Sequence, residues 1–368
     1  MDIIARNLFR LIRAGVFAQA ETIEPMSAWK WHRLYEYSVM HSVAALVLDG
    51  IERCRGQFFM SIPDEQWQQW NRALYDVEQA AKRVNLQMSQ LVETFSRSQL
   101  RPIVLKGPAV ATLYPVPLHR ETADIDFFFP FETQAKKADQ WAYGAGSEAD
   151  NSGRGVLVYR YQGVKVTHHR QMQRLTNLLL NYKLVHIVER ELREQPPYYV
   201  KVNSRDIETL PPTLALLHCL LCLSHGVLND GITLKQLVDL GVYLRCNGHH
   251  VDFVQLDNWI EMLSLQRIAF MSGRLLEDLL LFTPDELPFM GSKKLDVQHL
   301  EQELFTQRRQ EDSDWYFTQG NGIFVHNTNN SAMMWRIGHS ARNFWYYPKE
   351  SITNLAAAFA HSLSHIEE

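Results

Sequence analysis

The chain has 368 residues, 46% of them hydrophobic and 21% charged, the balance of an ordinary globular protein with two or three structural units. A net charge of −4 with histidine neutral gives no global basic field for nucleic acid, although it leaves room for a local basic patch. The four cysteines, Cys54, Cys219, Cys222 and Cys246, are sparse and unevenly spaced, which fits a reducing compartment. The amphipathic start, MDIIARNLFRLIRAG, lacks the apolar core and cleavage site of a signal peptide, and no stretch approaches the roughly 20 apolar residues of a membrane span. A cytoplasmic protein without a membrane partner is the expectation.

In chain order, residues 1–99 read as helices. Ile3, Ile4, Leu8, Leu11 and Ile12 recur at helical spacing, as do Trp31, Leu34, Tyr35, Ser38 and Val39, running on to Ala45 and Leu48. Asp49-Gly50 interrupts that pattern, with a helix still able to continue to Cys54, and a further helix starts near Pro63, carries Trp67, Trp70, Leu74 and Val77, and reaches about residue 98. Residues 100–210 read as a mixed α/β unit: a strand over 102–105, a Lys106-Gly107 turn, a short helix opened by Pro108, and a second strand carrying Asp124 and Asp126. There follow a helix over 132–143, a Gly- and Ser-rich exposed loop over 144–155, strands over 156–162 and 164–169, a helix over 173–193 and a short strand over 198–202. Residues 211–290 return to helices, over 214–228, 234–245 and 259–281. The last unit, 291–368, holds a charged stretch over 308–314, a turn at Gly320-Asn321-Gly322, an aromatic cluster from Phe344 to Tyr347 and a terminal helix from Ser351; residues 285–294 read as a loop.

The chemistry concentrates between Arg101 and Pro130. Residues two apart on a strand share a face, so Asp124 and Asp126 present two carboxylates together, and oxygen pairs of that kind hold hard divalent cations. Lys106-Gly107-Pro108 sets a flexible glycine and a cation at a helix start, where free amides favour phosphate. Together they point to nucleotide chemistry. His218, Cys219, Cys222 and His225 include zinc-type donors, but the surrounding leucines have the pattern of a core helix. His249-His250 reads as a loop pair. Gly-x-Ser-x-Gly, Gly-x-Gly-x-x-Gly and P-loop motifs are all absent from the sequence.

The segment resembles the uncharacterised nucleotidyltransferase family of the polymerase β-like superfamily. The resemblance is carried by Leu105-Lys106-Gly107, Tyr114-Pro115, Arg120, Asp124-Ile125-Asp126 and the apolar run Phe127-Phe128-Phe129, and further on by Leu234-Lys235 and Asp239-Leu240. It implies an α+β fold, a nucleotidyltransferase-like mixed-sheet domain flanked by N- and C-terminal helical regions. It also implies Mg²⁺ or Mn²⁺ at Asp124 and Asp126, with Lys106, Gly107, Arg120 and Lys235 meeting a nucleoside triphosphate. Arg120 could equally serve a structural ion pair. The implied reaction moves a nucleoside monophosphate to a hydroxyl, whose owner stays open: a small molecule, a sugar, a protein side chain or an RNA end.

In this resemblance a third acid sits two residues before a histidine on a later strand. With His169 in the histidine position, Thr167 stands where the acid belongs, and shifting by one residue puts Val166 there. Lys165 on the same face would repel cations. Asp206, Glu208 and Asp230 are candidates to supply the missing carboxylate from elsewhere. The alternative expectation is a catalytically degenerate member that binds nucleotide or a protein partner.

Overall fold

Two glycines determine how the first helices meet. In the computed structural model the described residues are 1–57, 60–151, 155–289, 297–305 and 338–364, the last eight as helix backbone only. Helix α1 (Ile3–Phe17) is followed by α2 (Ala28–Met40), α3 (Ala44–Cys54) and the 34-residue α4 (Asp64–Arg97). Asp49-Gly50 does not interrupt the second helical pattern. The break falls at 41–43, where Ser42 takes φ 55°, and α3 runs straight through Gly50. The reason is packing. A Cβ on Gly50 would lie 1.9 Å from the Leu11 carbonyl oxygen, and one on Gly15 would lie 2.2 Å from that of Leu46, so the bare backbones let α1 and α3 cross in contact.

Strand β1 (Ile103–Val104) leads through a turn into α5 (Pro108–Ala111), then β2 (Asp124–Phe128), α6 (Glu132–Ala145), β3 (Ser147–Asn151), β4 (Val156–Tyr161) and β5 (Val164–His169). Helix α7 (Leu178–Glu194) and a hairpin of β6 (Tyr198–Val202) and β7 (Arg205–Thr209) complete the unit. The seven strands form one mixed sheet in the order β3-β4-β5-β2-β1-β7-β6. Two strands depart from the sequence expectation. The polar stretch after α6 is the edge strand β3 rather than a loop; an edge strand here needs no apolar face, and its residues are exposed or half-buried. Strand β7 had no expectation at all, although Asn203 and Ser204 both take positive φ, the geometry of a tight hairpin turn.

Beyond the sheet come α8 (Pro212–His225), continued by a π turn over Gly226–Asp230, α9 (Leu234–Asn247), α10 (Phe253–Met262) and α11 (Gln266–Leu280). The helix expected over 259–281 is thus two, parted at Ser264 with φ 59°. Short α12 (Gln298–Glu303) and terminal α13 (Pro348–Ser364) follow. The charged stretch over 308–314, the turn at Gly320-Asn321-Gly322 and part of the loop over 285–294 lie outside the described residues. Contrary to the expectation that no stretch approaches a membrane span, the segment Pro212–Asp230 is long enough and apolar enough to cross a bilayer. Here it is the axis of the helical core, with Leu214, Leu216, Leu217, Leu220, Leu221 and Leu223 all fully buried.

The sheet divides two cores. Ile125, Phe127, Val164 and Val166 point to one side, against Val84, Met88, Leu91 and Phe95 of α4 and Ala135, Ala138 and Ala142 of α6. Ile103, Leu105 and Phe128 point to the other, into a single apolar cluster shared by α1, α3 and α8–α11. Alternation along β2 therefore turns Asp124 and Asp126 toward the helical half, not toward α4.

Replacing Gly50 with alanine forces a methyl group into the Leu11 backbone and is expected to cost about 3 kcal/mol. The measurement is the urea midpoint at unchanged m-value. Gly56→Ala, where nothing lies within 4 Å of the new Cβ, is the control and should hardly move it. Equal midpoints for both variants would refute the close-crossing account.

Candidate active site

Strands β2 and β5 run parallel, with Asp124 opposite Lys165, Asp126 opposite Thr167 and Phe128 opposite His169. The side chains on this face are Asp124 and Asp126 from β2, and Lys165, Thr167 and His169 from β5. That they share a face is seen directly, because His169 Nε2 donates to Asp126 Oδ1 at 2.8 Å. From the opposite neighbour, β1, the turn brings Lys106 Nζ to 3.3 Å from Asp126 Oδ2. Asp126 is 7% exposed, while the Lys106 side chain is 48% exposed, so the pair forms the floor and the rim of a depression. Burial alone would raise the Asp126 pKa, but the Lys106 ammonium and the His169 hydrogen bond overcome it and hold the carboxyl well below its usual range. Asp126 in turn pushes Lys106 up, against burial. Asp124, half-buried one strand pair further out, has no ion-pair or hydrogen-bond partner for its carboxylate among the described residues.

Gly107 makes this turn possible. Its φ of 61° with ψ of −115° is closed to residues with a side chain, and an added Cβ would stand 3.3 Å from Thr122 Cγ2. Helix α5 beyond it has four residues, too few for a helix dipole to matter, so the phosphate cradle expected from the sequence reduces to this turn and Lys106.

Arg120 is elsewhere engaged. Its Nη2 and Nε donate to Asp239 Oδ2 and Oδ1 at 2.6 and 3.1 Å, and its Nη1 donates to Thr122 Oγ1 and the Glu121 carbonyl at 3.1 and 3.2 Å. Tyr114 Oη donates to Asp239 Oδ1 at 2.7 Å. Tyr114, Arg120 and Asp239 are all buried, so Arg120 clamps the loop before β2 to helix α9. Lys235 lies on the first turn of α9, which Thr233 and Gln236 cap reciprocally. It is half-buried, and its ammonium has no ion-pair partner among the described residues. Burial and the Arg120 charge lower its pKa, while Glu121, Asp239 and Asp124 work against them. Of the four residues expected at phosphate, Lys106 and Gly107 line the turn beside Asp126, Lys235 lies on the first turn of α9, and Arg120 is taken up by the contact with Asp239.

The third carboxylate is missing where the register says it belongs. Thr167, 6% exposed, lies directly beside Asp126. Asp206 and Glu208 are on β7, across β1 and toward the other end of β2, since Val104 is level with both Thr209 and Phe127. Glu208 is held by Arg101 Nε at 2.7 Å, and Asp230 lies 3.6 Å from His225 on the π turn. Among the described residues, no three His, Cys, Asp or Glu side chains are arranged to hold a metal ion. Two carboxylates on one strand face would need substrate oxygens to complete the shell of a hard cation.

Helix α8 closes the inner wall. His218 Nε2 is 3.6 Å from Cys222 Sγ. Burial and the nearby Lys106 push the His218 pKa down to about 4, against Asp126 and a backbone hydrogen bond at Leu105. Burial also pushes the Cys222 thiol up, against the nearby Lys106 charge. The four-residue zinc constellation does not converge, because His225 turns to Asp230. Sequence reasoning placed His169 only as a marker for the missing acid. Its contact with Asp126 follows from strand alternation combined with the parallel register, and only the first of these was visible.

Two outcomes follow from these buried groups. Because His218 binds its proton less readily folded than unfolded, the unfolded chain takes up the proton first as pH falls below about 6.5, and stability drops until about pH 4. The loss is on the order of 3 kcal/mol, and His218→Gln should flatten that part of a stability–pH profile. Asp239→Asn leaves the Arg120 guanidinium buried without its counter-charge and should cost about 3–5 kcal/mol in urea unfolding.

The sequence pattern of the family described as "Uncharacterised nucleotidyltransferase" matches residues 27–280. Among curated proteins none matches the chain. A solved structure, an antigenic nucleotidyltransferase-like protein from Paracoccidioides brasiliensis, is similar over 52% of this chain and 90% of its own, at 13% identity and a TM-score of 0.33. With the family pattern running unbroken from α2 to the end of α11, through the Lys106 turn, the Asp124/Asp126 strand and the Arg120–Asp239 clamp, the chain belongs to the uncharacterised nucleotidyltransferase family.

Proposed function

We propose that the protein transfers a nucleoside monophosphate from a nucleoside triphosphate to a hydroxyl group. The observation that carries the reading is Asp124: an unpartnered carboxylate on the same strand face as Asp126, beside a glycine turn that ends in an exposed lysine. Asp124 and Asp126 would hold one Mg²⁺ or Mn²⁺, which when bound neutralises phosphate charge and orients the α-phosphate. The chain's own residues do the rest. Gly107 lets the triphosphate approach the backbone closely. Lys106 exchanges Asp126 for the β- and γ-phosphates as a point charge, and its exposed stem leaves it free to move. Lys235, half-buried and without an ion-pair partner among the described residues, adds a second ammonium on the α9 side. His169 keeps Asp126 oriented when Lys106 leaves it. The Arg120–Asp239 clamp fixes the loop that delivers β2.

A second reading, a member that binds nucleotide without turning it over, is favoured by Thr167 in register with Asp126 and by the closure of Asp126 between Lys106 and His169. One experiment separates the two. The protein is incubated with each labelled nucleoside triphosphate, Mg²⁺ or Mn²⁺, and a panel of hydroxyl acceptors, beside Asp124→Asn. That variant is the cleaner probe, since it strands no partner. Transfer of label that falls about a hundredfold or more in the variant is the expected result. Saturable nucleotide binding with no transfer across the panel would instead establish the binding-only reading.

A further inference from the structure

The sheet order gives the two ends of the reaction separate sides. The Lys106 turn, where phosphates would collect, is on the β1 side of the aspartates, and β5 is on the other. Displacement at the α-phosphate is in line, so the attacking hydroxyl and the departing pyrophosphate lie on opposite sides of it. With pyrophosphate toward Lys106, the acceptor enters over β5. What it meets there is unusual for a face built to hold cations. Lys165 is level with Asp124, exposed, and makes no ion pair or hydrogen bond through its ammonium among the described residues, not even with Asp124. Arg160 of β4 is level with Lys165, and Glu148 at the sheet edge lies 3.3 Å from it. Thr167, where a carboxylate would repel an anion, is small and neutral.

We propose that Lys165 is a specificity-determining residue that binds an anionic group on the acceptor, so that the preferred acceptor is a small hydroxylated molecule carrying a phosphate or a carboxylate. The proposal rests on the transfer reading above for the direction of entry. The negative charge lost at Thr167 and the positive charge present at Lys165 act in the same sense: both favour an anion across β5. Lys165 is exposed and lies in neither apolar core, so changing it leaves the packing of the sheet in place.

The test uses the full chain loaded with Mg²⁺ and the α,β-methylene analogue of a nucleoside triphosphate. Glycerol 3-phosphate, glycerate and glycerol are titrated calorimetrically as phosphate, carboxylate and neutral probes. One or both anionic probes should bind at least about tenfold more tightly than glycerol, and Lys165→Glu should remove about that factor while Lys165→Arg retains it. The ratio between the two anionic probes identifies which group is preferred. Equal binding of charged and neutral probes, no binding of any, or a Lys165→Glu variant as good as the parent would each overturn the proposal. Label transfer from the cleavable nucleotide is followed in parallel. Charge-selective binding without transfer would leave Lys165 as an anion-binding residue and defeat the transfer reading instead.

Discussion

A guanidinium buried against a carboxylate joins the two halves of this molecule. Arg120 stands at the entrance to β2, Asp239 in the middle of α9, and the two share a bidentate contact with Tyr114 closing the remaining side. Taking both charges out of water is expensive, and an apolar pair of equal volume could be as stable. What the ion pair supplies is a fixed geometry. Five donors in a rigid fork can be satisfied in few ways, so the loop over 115–123 has one position relative to the helical core. Because β2 begins where this loop ends, the clamp also ties the start of the aspartate strand to α9. Three elements that are scattered in the sequence, Tyr114-Pro115, Arg120 and Asp239, turn out to be one structural object.

The chemical residues are arranged by a different constraint, the parallel register of β2 and β5. A slip of one residue would put Val166 beside Asp126 and turn Thr167 into the apolar layer under α4. The register is held from below. Ile125, Phe127, Val164 and Val166 are all fully buried or nearly so on that side, against Phe95 and its neighbours. The identity of the residue beside Asp126 is therefore not an accident of alignment. Thr167 really occupies the third position, and His169, two residues on, reaches Asp126 instead.

How much of this could be read beforehand depends on range. The strand with its two aspartates, the glycine turn and the long helix α4 are local patterns, and they appear at their expected places. The α+β architecture came with the family resemblance that these patterns carry. Gly50 misled because a glycine in a helical pattern reads as a break, whereas here it is demanded by a backbone more than 35 residues away. The edge strand β3 misled because its polar residues face no core. Arg120 could be read toward phosphate or toward an acid with equal ease. The choice depended on Asp239, 119 residues later, and no spacing rule connects the two. Lys165 was visible only as something unfavourable to cations, since its meaning required the sheet order.

That last point bears on whether the missing acid means a lost activity. Two carboxylates, one divalent cation and one ammonium carry the same formal charge as three carboxylates and two divalent cations. A site that gives up an acid must give up a cation with it or become too positive, and a lysine at the same edge restores part of what the second cation supplied on the acceptor side. An ammonium cannot lower the pKa of a hydroxyl as a metal can, so the trade loses nucleophile activation and keeps attraction. In the proposed transfer the consequence would fall on the acceptor rather than the nucleotide. On the nucleotide side the exposed Lys106, the Gly107 turn and the unpartnered Asp124 are all retained. A hydroxyl that must attack with weaker activation gains most from being held in place, and Lys165 offers the means to hold it by a charge of its own.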